Sequence, residues 1–141
     1  MVNKIQAVSL SRGACYGACP IYEVILRRSG KATWVGEANT ERLGSFRGTF
    51  QPETFMQLAS FVERSGFFEW DEHYEPAYEI TDGPTTAISV TRGRIGKTVE
   101  QYESDEPPDF WVLATLIDAI AREVEWTTQS VRGGDDGQAD Q

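Results

Sequence analysis

The chain has 141 residues, 40% hydrophobic and 11% aromatic, which suits one ordinary domain with a real core and leaves little room for a second. Its net charge of −9 and pI near 4.6 exclude general attraction to nucleic acid or anionic lipid, because both need clustered positive charge to displace counterions. No stretch approaches the ~20 apolar residues of a membrane span, and Met1 to Gln6 lack the apolar run of a signal peptide, so a cytoplasmic protein with reduced thiols is expected.

Lys4 to Arg12 reads as a first strand, with Ile5, Ala7, Val8 and Leu10 as its apolar content. Both cysteines follow at once, in Cys15-Tyr16-Gly17-Ala18-Cys19-Pro20-Ile21-Tyr22. Gly17 and Pro20 make this a compact turn, and Tyr22 opens the next strand. Tyr22, Val24 and Leu26 alternate onto one face, Ser29-Gly30 supplies a turn residue free to take positive φ, and Lys31 to Glu37 returns as the partner strand with Trp34 and Val35. A further strand is expected at Gly44 to Phe50, with Phe46 and Phe50 on one face.

Gln51-Pro52-Glu53-Thr54 changes the pattern. Proline suits the first turn of a helix, the acid complements the helix dipole, and Phe55, Leu58, Ala59 and Val62 follow at helical spacing before Gly66 ends the run. Phe67, Phe68 and Trp70 read as packing aromatics. Residues 69–82 form an acidic connector that contains the single histidine, His73, but no Lys or Arg. Thr81-Asp82-Gly83-Pro84-Thr85 is a turn, in which Asp82 accepts backbone N–H bonds beside Pro84. Thr85 to Thr91 and Gly96 to Tyr102 pair as a second hairpin about Arg92-Gly93-Arg94. Pro107-Pro108-Asp109 opens a second helix, whose apolar face of Phe110, Leu113, Ala114, Ile117, Ala121 and Val124 is widened by Trp111, Val112 and Leu116.

The halves echo each other weakly. Val24 to Lys31 is similar to Ser89 to Lys97, and Pro52-x-x-Phe55-x-x-Leu58-x-x-Phe61-Val62 is similar to Pro107-x-x-Phe110-x-x-Leu113-x-x-Leu116-Ile117. Strands joined by tight turns instead of crossover helices predict an α+β fold: an antiparallel sheet of about five to six strands built from hairpins, with two helices packed on one face as a two-layer domain. The domain is expected to span 1–126. The polar, Gly/Asp-rich residues 127–141 read as a flexible tail.

Cys15-x-Gly17-x-Cys19-Pro20-x-Tyr22, followed by Gly30, Gly36, Thr81-Asp82-x-Pro84-Thr85, Gly96-Lys97 and Trp126, resembles a bacterial domain-of-unknown-function family that carries a Cys-x-Gly-x-Cys-Pro-x-Tyr signature. The likeness covers roughly residues 5–126. It implies a domain boundary and no reaction. The Cys-x-x-x-Cys-Pro string is also similar to the copper-binding motif of Sco-type copper chaperones, in which a distant histidine completes the site. His73 would be the counterpart, but that family uses a thioredoxin-like βαβ scaffold, and here several strands precede any helix.

Two functions from different classes follow. The first is a small non-enzymatic domain that binds a small ligand or a protein, with the cysteine turn structural, its thiols buried or oxidised to each other, and no cofactor. The basic hairpin tips, Arg27, Arg28 and Lys31 with Arg92, Arg94 and Lys97, offer contacts to an anion or an acidic partner. The second is a thiol redox or copper-handling protein using Cys15 and Cys19, since thiolates attack disulfides and bind Cu(I) or Zn(II). A structural zinc is a poorer fit, because two Cys and one His fall short of four ligands. No G-x-S-x-G elbow or phosphate-binding glycine loop is present.

Overall fold

A computed structural model of the chain describes residues 4–13, 18–74, 85–102 and 107–128. Cys15, Gly17, Asp82, Pro84 and the tail beyond Thr128 lie outside the described residues. Eight strands and two helices follow in the order β1 (Ile5–Arg12), β2 (Ile21–Arg27), β3 (Lys31–Ala38), β4 (Gly44–Thr49), α1 (Pro52–Ser65), β5 (His73–Tyr74), β6 (Thr86–Arg92), β7 (Ile95–Gln101), α2 (Pro108–Glu123) and β8 (Glu125–Thr128). A short 3-10 turn, Phe67–Glu69, follows α1.

The fold is α+β, with one sheet in the order β5-β7-β6-β1-β2-β3-β4-β8. The expected five to six antiparallel strands are therefore corrected to eight, in a mixed sheet. Every pairing is antiparallel except β5 with β7. The two additional strands are the sheet's edges. β5 is two residues inside the acidic connector, and β8 is four residues beyond α2, both too short for a period-2 pattern to stand out.

Both hairpins form as their turns dictate. At the β2–β3 turn the Gly30 N–H donates to the Arg27 carbonyl, and φ is +88°. A side chain at Gly30 would meet the Phe50 carbonyl at 2.6 Å, so only glycine fits there. β1 runs between the hairpins, pairing with β2 on one side and β6 on the other.

Alternate strand residues join the helices in a single core. Val8 and Leu10, Tyr22, Val24 and Leu26, Ala32 and Trp34, Ile88 and Val90, and Val99 are buried with Phe55, Leu58, Ala59 and Val62 of α1 and Phe110, Leu113, Ala114 and Ile117 of α2. Each fully buried Phe, Leu or Ile contributes roughly 1.5–3 kcal/mol of transfer free energy. α1 ends at Gly66 in the left-handed conformation, as its sequence predicts. The widened face of α2 is only partly covered: Trp111 and Leu116 pack against the core, whereas Val112 stands 50% exposed. The opposite face of the sheet includes Ser89 and Thr98, with their hydroxyl oxygens 2.7 Å apart, and the 41% exposed Val35. Among the described residues no helix is long and apolar enough to cross a membrane.

Candidate functional site

At the end of the sheet where β1 and β3 finish and β2 and β6 begin, a cleft of about 500 Å³ opens between the 39–42 loop and α2. Pro20, Tyr22, Trp34, Arg42, Asp118 and Arg122 are among the residues that line it. Its floor is polar because α2 places Asp118 on a turn between the buried Ile117 and Ile120. That carboxylate faces the strand ends, where Arg12 and Tyr22 sit side by side in the β1–β2 register.

The three side chains close a network. The Arg12 Nε donates to the Tyr22 hydroxyl at 2.9 Å, an Arg12 terminal nitrogen donates to Asp118 Oδ2 at 2.9 Å, and the Tyr22 hydroxyl donates to Asp118 Oδ1 at 2.5 Å. The other Arg12 terminal nitrogen reaches the Thr86 hydroxyl at 3.3 Å. Burial, reinforced by the bond to Asp118, pushes the Tyr22 phenol up to about 12. Burial alone would lower the Arg12 pKa, but the bonds to Asp118 and Tyr22 outweigh it and the net direction is upward. Tyr22 is therefore a neutral donor at pH 7, Arg12 is a cation already matched to a carboxylate, and the floor needs no further partner.

The wall is aromatic. Trp34 stacks on Tyr22 with ring centroids 4.6 Å apart and planes 10° from parallel, and Trp126 meets Trp34 edge-on at 6.0 Å. The Trp34 indole N–H donates to the Arg42 carbonyl at 2.8 Å, tying down the 39–42 loop. The Arg42 guanidinium then lies 5.6, 5.8 and 5.4 Å from the ring centroids of Trp34, Phe46 and Trp126. Among the described residues no carboxylate comes within 4.0 Å of it. Gly36 permits this arrangement, because a Cβ there would sit 2.0 Å from the Arg42 carbonyl and 2.9 Å from Trp34 Nε1.

Cys19, next to the cleft residue Pro20, sits at the mouth. Cys19 is disulfide-bonded, so the expectation of reduced thiols does not hold for it; the sequence has one other cysteine, Cys15. The Cys19 carbonyl accepts a bond of 3.1 Å from the Asn39 side-chain amide, and Asn39 adopts positive φ at +58°. The turn and the 39–42 loop are thereby tied together across the mouth.

The other candidate residues are dispersed. His73 is on edge strand β5, 3.2 Å from Glu100 and four strand spacings, roughly 19 Å, from β2 and the Cys19 turn that precedes it. Among the described residues no group of three or more His, Cys, Asp or Glu is placed to hold a metal ion. Arg92 pairs with Glu63 at 3.0 Å and lies over Phe68, and the Lys97 ammonium donates to the Phe68 and Trp70 carbonyls, so both brace the core. Arg27 and Arg28 instead line a second depression at the far end of the sheet, while Lys31 and Arg94 are exposed. Sequence reasoning missed Arg12, Arg42 and Asp118. The available signal was Asp118, a carboxylate within the apolar run Leu116-Ile117-Asp118-Ala119-Ile120, which demands a buried partner.

Residues 6–121, which include all of β1 but Ile5, β2 to β7 and most of α2, match a protein family described as a domain of unknown function, DUF6438. The chain belongs to that family. The matched span contains most of the cleft of this DUF6438 domain and excludes Trp126 and β8. No curated protein matches the chain.

Proposed function

We propose that this DUF6438 domain is a small non-enzymatic binding module whose ligand carries an anionic group and seats in the cleft beside the Cys19-Pro20 turn. The observation that carries this reading is Arg42. Its guanidinium is held by three rings and a tethered backbone, with no carboxylate partner among the described residues. A planar guanidinium in that position favours a ligand carboxylate or phosphate that accepts two parallel N–H bonds. Arg122 adds a second positive charge to the lining, and the Trp34 and Trp126 rings offer flat apolar surface. The Arg12, Tyr22 and Asp118 floor supports a binding role over catalysis. Its groups are committed to one another, and a phenol raised to about 12 is a poor base at neutral pH.

Benzoate and citrate serve as probes, titrated at low salt while tryptophan fluorescence is followed. Saturable quenching is expected, and Arg42→Gln is expected to weaken it about tenfold or more, the loss of one charge-assisted bond pair. No saturation by either anion, or binding unchanged in Arg42→Gln, would sink the proposal. The thiol redox or copper reading makes a different prediction: Cu(I) uptake or dithiol exchange abolished by Cys19→Ser.

A further inference from the structure

The opposite end of the sheet carries a second feature, independent of the cleft. The β2–β3 turn, the β6–β7 turn and the residue entering β1 meet there, because β1 lies between the two hairpins. Backbone bonds hold them together: the Arg28 N–H donates to the Gln6 carbonyl at 2.9 Å and the Gly93 N–H to the Lys4 carbonyl at 3.1 Å. The junction forms a shallow depression of about 430 Å³ lined by Lys4, Gln6, Arg27, Arg28, Ser29 and Gly93. No acidic residue is among them.

The charges here stand apart in a chain of net charge −9. Neither Lys4 nor Arg27, both exposed, has a carboxylate within 4.0 Å among the described residues. The neighbouring Arg94 is likewise exposed and unmatched among those residues. Arg28 is positioned differently: its Nε donates to the Ile5 carbonyl at 3.0 Å and a terminal nitrogen reaches Met56 Sδ at 3.2 Å, which fixes its charge in the wall. Two cations unmatched among the described residues, one fixed cation, an amide and a hydroxyl thus converge from two chain segments onto one depression, whose rim Gly93 completes from a third.

We propose that this junction is a binding site for a phosphate-bearing polyanion, separate from the aromatic cleft. A carboxylate offers two oxygens in one plane, whereas a phosphate chain presents acceptors in several directions and matches donors that arrive from the two separate segments 4–6 and 27–29. The guanidinium fork of Arg27 suits two oxygens of one phosphate, and the Lys4 ammonium acts as a point charge for another. The domain's negative charge elsewhere is screened beyond about 8 Å at physiological ionic strength.

Inorganic tripolyphosphate is the probe, titrated into the intact domain at physiological ionic strength by calorimetry, with backbone amide NMR shifts to locate it. Saturable binding is expected, with shifts at residues 4–6, 27–30 and 93–94. The Lys4→Gln/Arg27→Gln double variant is expected to weaken it about a hundredfold, one factor of ten for each charged contact removed, with an unchanged circular dichroism spectrum. Arg42→Gln leaves this binding intact, which separates failure of this site from failure of the cleft. A parallel arm uses phosphatidylcholine vesicles with and without phosphatidylinositol bisphosphate. Co-sedimentation lost in the double variant would identify a lipid headgroup as the phosphate source, and tripolyphosphate binding without it would identify a free one. Absence of saturable binding in both arms, or equal affinity in the double variant, overturns the proposal.

Discussion

Tyr22 shows how one side chain serves the core and the site together. Its ring is buried against Trp34 while its hydroxyl accepts from Arg12 and donates to Asp118, so both ends of the residue are satisfied. Removing the hydroxyl with Tyr22→Phe is expected to cost roughly 1.5–2 kcal/mol at neutral pH, the lower part of the range for a bond to a charged group, because Asp118 is partly exposed. The pH dependence has a definite sign. The folded phenol, raised to about 12, holds its proton more tightly than the unfolded one near 10, so its contribution is full below about pH 10 and is lost as pH rises towards 12. Denaturant midpoints of the two proteins should therefore converge across that window. Persistence of the full gap at pH 12 would show that the phenol is not held as described. Tyr22 was visible in the sequence as the start of a buried face. Its partners were not, since Arg12 and Asp118 are separated from it by 10 and 96 positions.

At the level of elements, the two helices and two hairpins were legible because their information is local. Pro52 at the helix start, a 3–4 spacing of Phe55, Leu58, Ala59 and Val62, and Gly66 at the close are all read within one window, and all take the expected places. The edge strands were not legible. β8 is a strand because Gly48 and Thr49 of β4 pair with Trp126 and Glu125, and that pairing depends on where α2 ends. The 39–42 loop is a similar case, with its position set by Gly36 in the neighbouring strand. Gly36→Ala places a methyl into the Arg42 carbonyl and should force the loop away from Trp34. A destabilisation of about 1–3 kcal/mol is expected, the usual range for overpacking, together with loss of anion-dependent fluorescence quenching in the cleft. Wild-type urea midpoint and quenching in this variant would refute the close approach.

For the whole molecule, the sheet separates two kinds of chemistry. Seven strand steps from Ile5 to Arg12, roughly 23 Å, divide the basic junction from the aromatic cleft. The disulfide at Cys19 belongs to the cleft end, where the Asn39 amide binds the Cys19 carbonyl and joins the turn to the loop. Cys19→Ser is expected to lower stability by about 2 kcal/mol, the low end for a cross-link because the other cysteine is only four positions away and the closed loop is short. Reduced wild type should unfold at the same urea concentration as this variant, and oxidised wild type later; coincidence of all three would deny the cross-link a structural role. The α+β class, the helix faces and the hairpin turns follow from local sequence alone, because side-chain periodicity and turn chemistry act over neighbouring residues. The packed sheet is what brings Arg12, Tyr22, Trp34, Arg42, Asp118 and Trp126 together in one cleft, and Lys4 to Arg27 and Gly93 at the other end. Those meetings follow from the central position of β1 and from strand register, which are properties of long-range pairing that no single stretch of the chain contains.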